Sequence, residues 1–469
     1  MAVLKYDAQD EKRGLTVWDK LTGPEKEEVF SFCEGYREFL DRGKTEREVV
    51  AEVVKMARDK GFCDLREKQA LNPGDRIFSV NRNSEIVLAV MGRQPLENGL
   101  GLVGAHIDSP RIDIKPEPLY QDGTLALFKT HYYGGIKKYQ WVSIPLSLHG
   151  VVARQDGSVA EIRLGDRPGD PVFTITDLLP HLAKDQMEKK MSEGIVGEAL
   201  NILVGGIPVE GDDIKQRIKQ GILNYLKDTY GIVEEDFISA ELQAVPAWPS
   251  RDVGFDRSLL GGYGQDDRVC AYTAIRALLD IGDDQERAAV VLLSDKEEVG
   301  STGNTGMQSS FFENFVAEMI AARNNSYSDL LLRRTLSSSY ALSADVNAAL
   351  DPNYEEVMDK LNSARVNRGV VITKYTGSRG KSGSSEASAE FVARVRGIFN
   401  SSGVYWQTGE LGKVDQGGGG TIAHLLAAYN MDVLDCGTAI LGMHSPFEVA
   451  GKADIFMTYR AYSAFLKSI

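Results

Sequence analysis

An α/β fold is predicted, a mixed sheet sandwiched by helices and interrupted by an inserted strand-rich domain, and three observations predict it. After Asp252, strand-like and helix-like runs alternate: a helix from Asp267 to Leu279, the strand AAVVLLS, a helix from Ser309 to Ala322, the strands SSYALSA and GVVITKY, a helix after Ser385, and MDVLDCG. Such alternation places helices on both faces of one sheet. From Arg76 the short apolar runs RIFSVN, EIVLAVMG and GLGLVGAH are separated by polar and glycine punctuation, as in strands of a buried sheet. Between these regions the texture changes. From about Glu117 to Pro249, strand-like YQWVSIPLSLHGVVARQ and SVAEIRL precede helix-like DLLPHLAKDQMEKKMS and DDIKQRIKQGILNYLKD. The expected organisation is a discontinuous domain, 1–116 and 251–469, holding an insert at 117–250.

Ahead of the sheet, Gly23-Pro24 opens a charged amphipathic helix running to about Leu40. Thr45 and Glu48 form a capping box for a second helix ending near Lys60.

The chain has 469 residues, 43% of them hydrophobic, enough for two or three cores. With 26% charged residues there is no apolar stretch of the roughly 20 residues a membrane span needs, so no membrane partner is expected. The opening MAVLKYDAQDEKRG has no apolar core of signal-peptide length, and a cytoplasmic location is expected. Cys33, Cys63, Cys270 and Cys436 form no CxxC pair, which argues for isolated thiols rather than a disulfide framework or zinc knuckle. A net charge of -14 argues against the basic footprint that nucleic acid requires, so nucleic acid is not the expected partner. The absence of a GKS/T phosphate loop and of any repeat removes P-loop nucleotidases and solenoids.

Ligands of open α/β sheets lie beyond the carboxyl ends of the strands, so polar residues that follow apolar runs carry the most information. GLVGAHIDSPRIDIKP ends a strand in His106 and Asp108. Residues two apart on an extended chain share a face, so the carboxylate can stand behind the imidazole and fix its tautomer, as behind metal-bound histidines. A chance HxD in a surface turn is the bland alternative. In GGYGQDDRVCAY, Asp266 and Asp267 follow a glycine-rich turn and open a helix. One acid of the pair is accounted for as a helix cap, and the second is to spare, with two oxygens able to bridge cations. AAVVLLSDKEEVGSTG sets Glu297 and Glu298 directly after a buried strand. One can ligate a metal while the other takes a proton, or both are solvated charge. SSYALSADVN ends in Asp345, and MDVLDCGTAILGMHSP delivers His444.

Taken together, four strand-like runs ending in His106, Glu298, Asp345 and His444, and the helix opening at Asp266, gather two imidazoles and three carboxylates on one sheet edge. Carboxylates so close repel unless cations neutralise them. Two divalent ions meet that need, and nitrogen and carboxylate donors without thiolate suit zinc, with cobalt or manganese as alternatives. Of the remaining histidines, His149 in an alternating strand and His424 in an apolar helix read as structural. His181, in LLPHLAKD, and Lys374, at the end of GVVITKY, are further candidates.

The sequence resembles the aspartyl and vacuolar aminopeptidase family of co-catalytic zinc exopeptidases along nearly its whole length. HIDSPRIDIKP, the DD of GQDDR, KEEVGS, SADVN, KVDQGGGGTIA and GMHSPFE occur in the family's order. The resemblance implies that His106 and Asp345 bind one zinc, Glu298 and His444 the other, and that Asp266 bridges them. Asp108 then orients His106, and Glu297 is the general base and acid. It also implies an insert that mediates dimerisation and a tetrahedral homododecamer with active sites facing an inner chamber. There His181 reaches a neighbouring subunit's site, and Lys374 faces the substrate's first side chain. One departure bears on specificity. The aspartyl-specific branch carries histidines shortly after the metal-binding aspartate, whereas SADVNAALDPNY has Ala348 and Asp351 there, so a broader or neutral preference competes with one for Asp or Glu. The rival functions are an N-deacylase on the same scaffold and a non-catalytic scaffold or cargo protein.

Overall fold

Strands that lack polar alternation need cover on both faces, and the central sheet is built from such strands. A computed structural model describes residues 14–211 and 213–469. Residues 1–13, most of the stretch read for a signal peptide, lie outside the described residues. The chain divides into two compact units: 1–108 with 250–443 and 447–469, and 109–249 with 444–446.

The first unit is built on nine strands: β1 (Cys63–Asp64), β2 (Arg76–Asn81), β3 (Glu85–Val90), β4 (Gly101–His106), β5 (Ala289–Ser294), β6 (Tyr340–Ser343), β7 (Val370–Thr373), β8 (Trp406–Thr408) and β9 (Asp432–Gly437). Their spatial order is β1-β2-β3-β5-β4-β6-β9-β7-β8. β4 is parallel to both its neighbours, β5 and β6, and β6 is parallel to β9, whereas β7 runs antiparallel to β9. The sheet is therefore mixed, as expected.

Every residue of β3, β4 and β5 is buried. Successive side chains alternate between two cores. Leu88, Val103, Val291 and Leu293 join one, and Val87, Leu102, Val290 and Leu292 the other. The first core is closed by helices α1 (Gly23–Arg42), α2 (Glu46–Asp59), α3 (Gln265–Leu279), α6 (Ala389–Ser401) and α7 (Lys452–Ser468). The second is closed by α4 (Phe311–Asn324) and α5 (Asp329–Ser337). Truncating one such residue, as in Leu292→Ala, costs about 2–5 kcal/mol through lost transfer energy and the cavity left behind. The Thr45–Glu48 capping box is present at the start of α2, with the Glu48 N–H donating to Thr45 Oγ1 at 3.3 Å. A five-stranded sheet (251–253, 259–262, 347–348, 439–441 and 448–451) completes this unit.

The second unit has a seven-stranded antiparallel sheet centred on the hairpin Arg111–Asp122 and Leu125–Tyr133, with the helix Arg217–Tyr230 packed on it. Among the described residues no helix is long and apolar enough to cross a membrane.

Candidate metal centre

Three parallel strands in the middle of the sheet set the height of the site. His106, the last residue of β4, pairs with Ser294, the last of β5. On the other side Ser343 pairs with Gly104, and the Ala344 N–H continues the ladder to Gly104 O at 2.7 Å, which brings Asp345 level with His106. The end of β9 packs closely here, because a Cβ on Gly437 would fall 1.9 Å from Asp345 O. Only glycine fits there.

His106 is buried, and its Nε2 lies 3.2 Å from Asp266 Oδ1 while Nδ1 lies 3.3 Å from Asp108 Oδ1 and 3.1 Å from Asp108 O. Asp266 and Asp267 enter from the start of α3. Gly264 precedes them in the left-handed region at φ 76°, and both aspartates have non-helical backbone angles, so neither points as a regular helical residue would. Asp267 Oδ2 accepts the His106 N–H at 3.3 Å. The buried Arg268 donates to Ile107 O and to Lys44 O, tying the exit of β4 to the segment that begins α2.

Two groups of donor atoms converge, each within 4.8 Å: His106, Asp267 and Asp345, and His106, Asp266 and Glu298. Asp266 thus lies beside both His106 and Glu298. Burial pushes the Asp267 carboxyl well above the usual carboxylate range, helped by the Asp266 charge, and burial with the Asp267 charge does the same to Asp345. For His106, burial opposes the charged ring, but hydrogen bonds to Asp108 and Asp266 carry it well above the ordinary imidazole range. Protons thus take up charge that a cation would otherwise neutralise. The donors are imidazole nitrogen and carboxylate oxygen with no thiolate in either group, and they fit zinc.

Glu297 and Glu298 form a single helical turn after β5, and their N–H groups donate to Asp108 Oδ1 and Oδ2 at 3.0 and 3.1 Å. The charge of Glu297 also raises the Asp345 carboxyl, so it lies near the cluster.

Besides Asp108 and Glu297, three sequence candidates fall outside these groups. His444 clusters with the second unit, where its Nδ1 lies 2.9 Å from Gly135 O. A carbonyl only accepts, so Nδ1 carries the proton and Nε2 the lone pair. His181 is exposed in the second unit, ahead of the short helix Lys184–Met187. Lys374 was expected at the same kind of strand end as the ligands, and the topology corrects that position. Thr373 pairs with Asp435, as does Ser343, but β7 is antiparallel, so its carboxyl end points toward the amino ends of β6 and β9. Lys374 Nζ lies 3.5 Å from Glu386 Oε1. His149 is buried with Nε2 at 2.9 Å from Ser147 Oγ, whereas His424 is exposed, its Nδ1 at 2.8 Å from Thr421 O.

The carboxylate of Asp267 lies in the donor group of His106 and Asp345, a place its sequence position did not suggest. The signal was the doublet itself: one of two adjacent acids was set aside as a helix cap, yet neither is helical.

A buried histidine and carboxylate cluster at the parallel edge of a mixed α/β sheet, with a glutamate beside it, defines a metal-dependent hydrolase. The profile of the aminopeptidase I zinc metalloprotease family, M18, matches residues 39–466. A probable M18 family aminopeptidase 1 of Clostridium acetobutylicum is 50% identical over 97% of this chain and 99% of its own length. The crystal structure of an M18 aminopeptidase from Thermotoga maritima superposes with a TM-score of 0.92 at 47% identity, covering 97% of this chain and 99% of that one. The mApe1 dodecamer of S. cerevisiae, 20% identical over 93% of this chain and 96% of its own, with a TM-score of 0.74, shares the fold. The chain belongs to the M18 family of zinc metallo-aminopeptidases, hydrolases that act on the N-terminal residue of peptides. Neither the N-deacylase nor the scaffold reading finds support among these relatives.

Proposed function

We propose that this aminopeptidase uses two divalent ions, one that His106 and Asp345 would hold and one that Glu298 and His444 would hold, with Asp266 as a further donor. The observation that supports this is the convergence of donor atoms from His106, Asp266, Glu298 and Asp345, four of the five proposed donors, in two overlapping groups. The Nδ1 contact of His444 with Gly135 O supports its part, since it leaves the lone pair on Nε2. Bound there, such ions would supply Lewis acidity to the substrate carbonyl and would lower the pKa of water toward about 7. Asp108 holds the His106 ring and the backbone of both glutamates. Glu297 takes a proton from the attacking water, whose oxygen bonds to the first peptide carbonyl carbon. The same carboxyl then gives that proton to the departing amine as the C–N bond breaks.

Peptides with a free amino terminus are the substrates. Ala348 and Asp351, standing where the aspartyl-specific branch carries histidines, support a neutral or broad preference over Asp and Glu. We assign residues 117–250 to subunit association in a cytoplasmic homododecamer. Exposed Leu179, Leu182, Met187 and Met191 around His181 support burial against another copy, and the dodecameric yeast relative agrees in kind.

Elemental analysis beside hydrolysis of Asp, Glu, Leu, Ala and Lys chromophores, with and without chelator, tests the reading. About two ions per chain and chelator-sensitive cleavage, fastest on neutral residues, are expected. A single ion at full activity refutes the two-metal part.

A further inference from the structure

The chain leaves β5 at Ser294 and returns at Gly306, and the loop between carries Glu297 and Glu298. Its base is closed by a compact network. The Asp295 N–H donates to Thr305 O at 3.1 Å, and the Thr305 hydroxyl donates to Asp295 Oδ2 at 2.7 Å. The Lys296 ammonium donates to the same Asp295 oxygen and to Thr305 Oγ1 at 2.6 Å. Thr305 therefore accepts and donates at once, a pair of tasks valine cannot perform. Both Asp295 and Thr305 are buried. One step inward the Ser301 N–H donates to Lys296 O at 2.7 Å. Lys296 and Ser301 sit in the left-handed region at φ 67° and 57°, where a residue with a side chain is strained and persists only when its surroundings enforce it.

We infer that Asp295, Lys296 and Thr305 form a positioning clamp that fixes the height of Glu297 over the metal cluster, so that the clamp governs turnover and leaves metal and substrate affinity largely alone. Asp108 grips the glutamate turn from the side of β4, and the clamp grips it from the base of its own loop. With one grip released, the glutamates stay tethered through Asp108, but the Glu297 carboxylate moves relative to the water it must deprotonate. A misplacement on the order of 1 Å costs about 10²-fold in rate. The inference rests on Glu297 being the base.

The test is Thr305→Val in the full chain, with Thr305→Ser and Glu297→Gln alongside. Each is measured for zinc content, thermal midpoint, KM and kcat on a leucyl chromophore. Thr305→Val is expected to lose about 10- to 100-fold in kcat, with zinc content and KM within about twofold of the parent, and Thr305→Ser to recover most of the loss. An unchanged kcat, a loss matched by lost zinc or raised KM, or a serine variant no better than valine overturns the clamp. Should Thr305→Val not fold, Lys296→Met, which removes the ammonium from the same network, is read by the same criteria. Normal turnover in Glu297→Gln would sink the assignment of the base itself. An inactive Glu297→Gln beside a normal Thr305→Val would overturn the clamp alone.

Discussion

Asp108 holds Glu297 by its backbone: Oδ1 accepts the Glu297 N–H at 3.0 Å and lies 3.3 Å from His106 Nδ1. Its other oxygen accepts the Glu298 N–H at 3.1 Å. One fully buried carboxylate therefore fixes both the histidine ending β4 and the glutamates following β5.

Asp108→Asn should damage metal binding and turnover together. An amide offers one acceptor oxygen where the carboxylate offers two, and its NH₂ faces either a backbone N–H or the imidazole. Partners behind metal-binding histidines are typically worth about 10–100-fold in affinity. Zinc competition against a chromogenic chelator measures it, and parent-like affinity would show that Asp108 serves the backbone only.

Glu297→Gln is expected to keep its zinc and lose about 10²–10⁴-fold in kcat, the usual worth of a positioned base. Metal analysis and steady-state kinetics on one preparation decide this.

Zinc affinity should rise with pH. Burial holds the Asp267 and Asp345 carboxyls well above their ordinary range in the metal-free protein, and the carboxylates around His106 keep its ring protonated. Zinc must displace those protons, so binding releases them and weakens as pH falls. Calorimetry in two buffers of different ionisation heat reads the proton count, and identical heats would refute the linkage.

Glu85 should make the fold less stable as pH rises. Burial pushes its carboxyl up to about 8 against an ordinary 4.5, with Asn81 Nδ2 as a hydrogen-bond donor at 2.8 Å. The folded state then binds a proton that the unfolded chain has released, so this contribution is full below about 4.5 and is lost as pH climbs through about 8. Glu85→Gln should flatten that decline, raising stability by a few kcal/mol at pH 9 with little change at pH 4. Urea midpoints at both values test it. An equal shift at both would point to packing.

The strand-end rule made much of the centre readable. His106, Glu298 and Asp345 each follow an apolar run, and the lengths of those runs fix where the chain leaves the sheet. Spacing also gave Asp108 its place behind His106, although not its grip on the glutamate turn, which joins residues remote in sequence. Lys374 was misplaced because an apolar run does not record its own direction, and β7 is antiparallel to β9. α7 escaped notice because it is buried on nearly all sides and shows no clear polar face. The partnership of Asp295 with Thr305 was invisible for a different reason: it depends on the return path of a loop, which no periodicity encodes.

The strand order has a consequence for synthesis. β4 takes β5 and β6 as its neighbours, yet residues 109–249 form a separate unit between β4 and both of them in the chain. On the ribosome His106 must wait through the whole second unit, and then through Ser294 and Asp345, before its partners exist. Domains fold as they emerge, so the second unit can form first while β4 stays unpaired. A chain that stops before Asp345 therefore lacks part of the donor cluster around His106, so the cluster is assembled only late in synthesis.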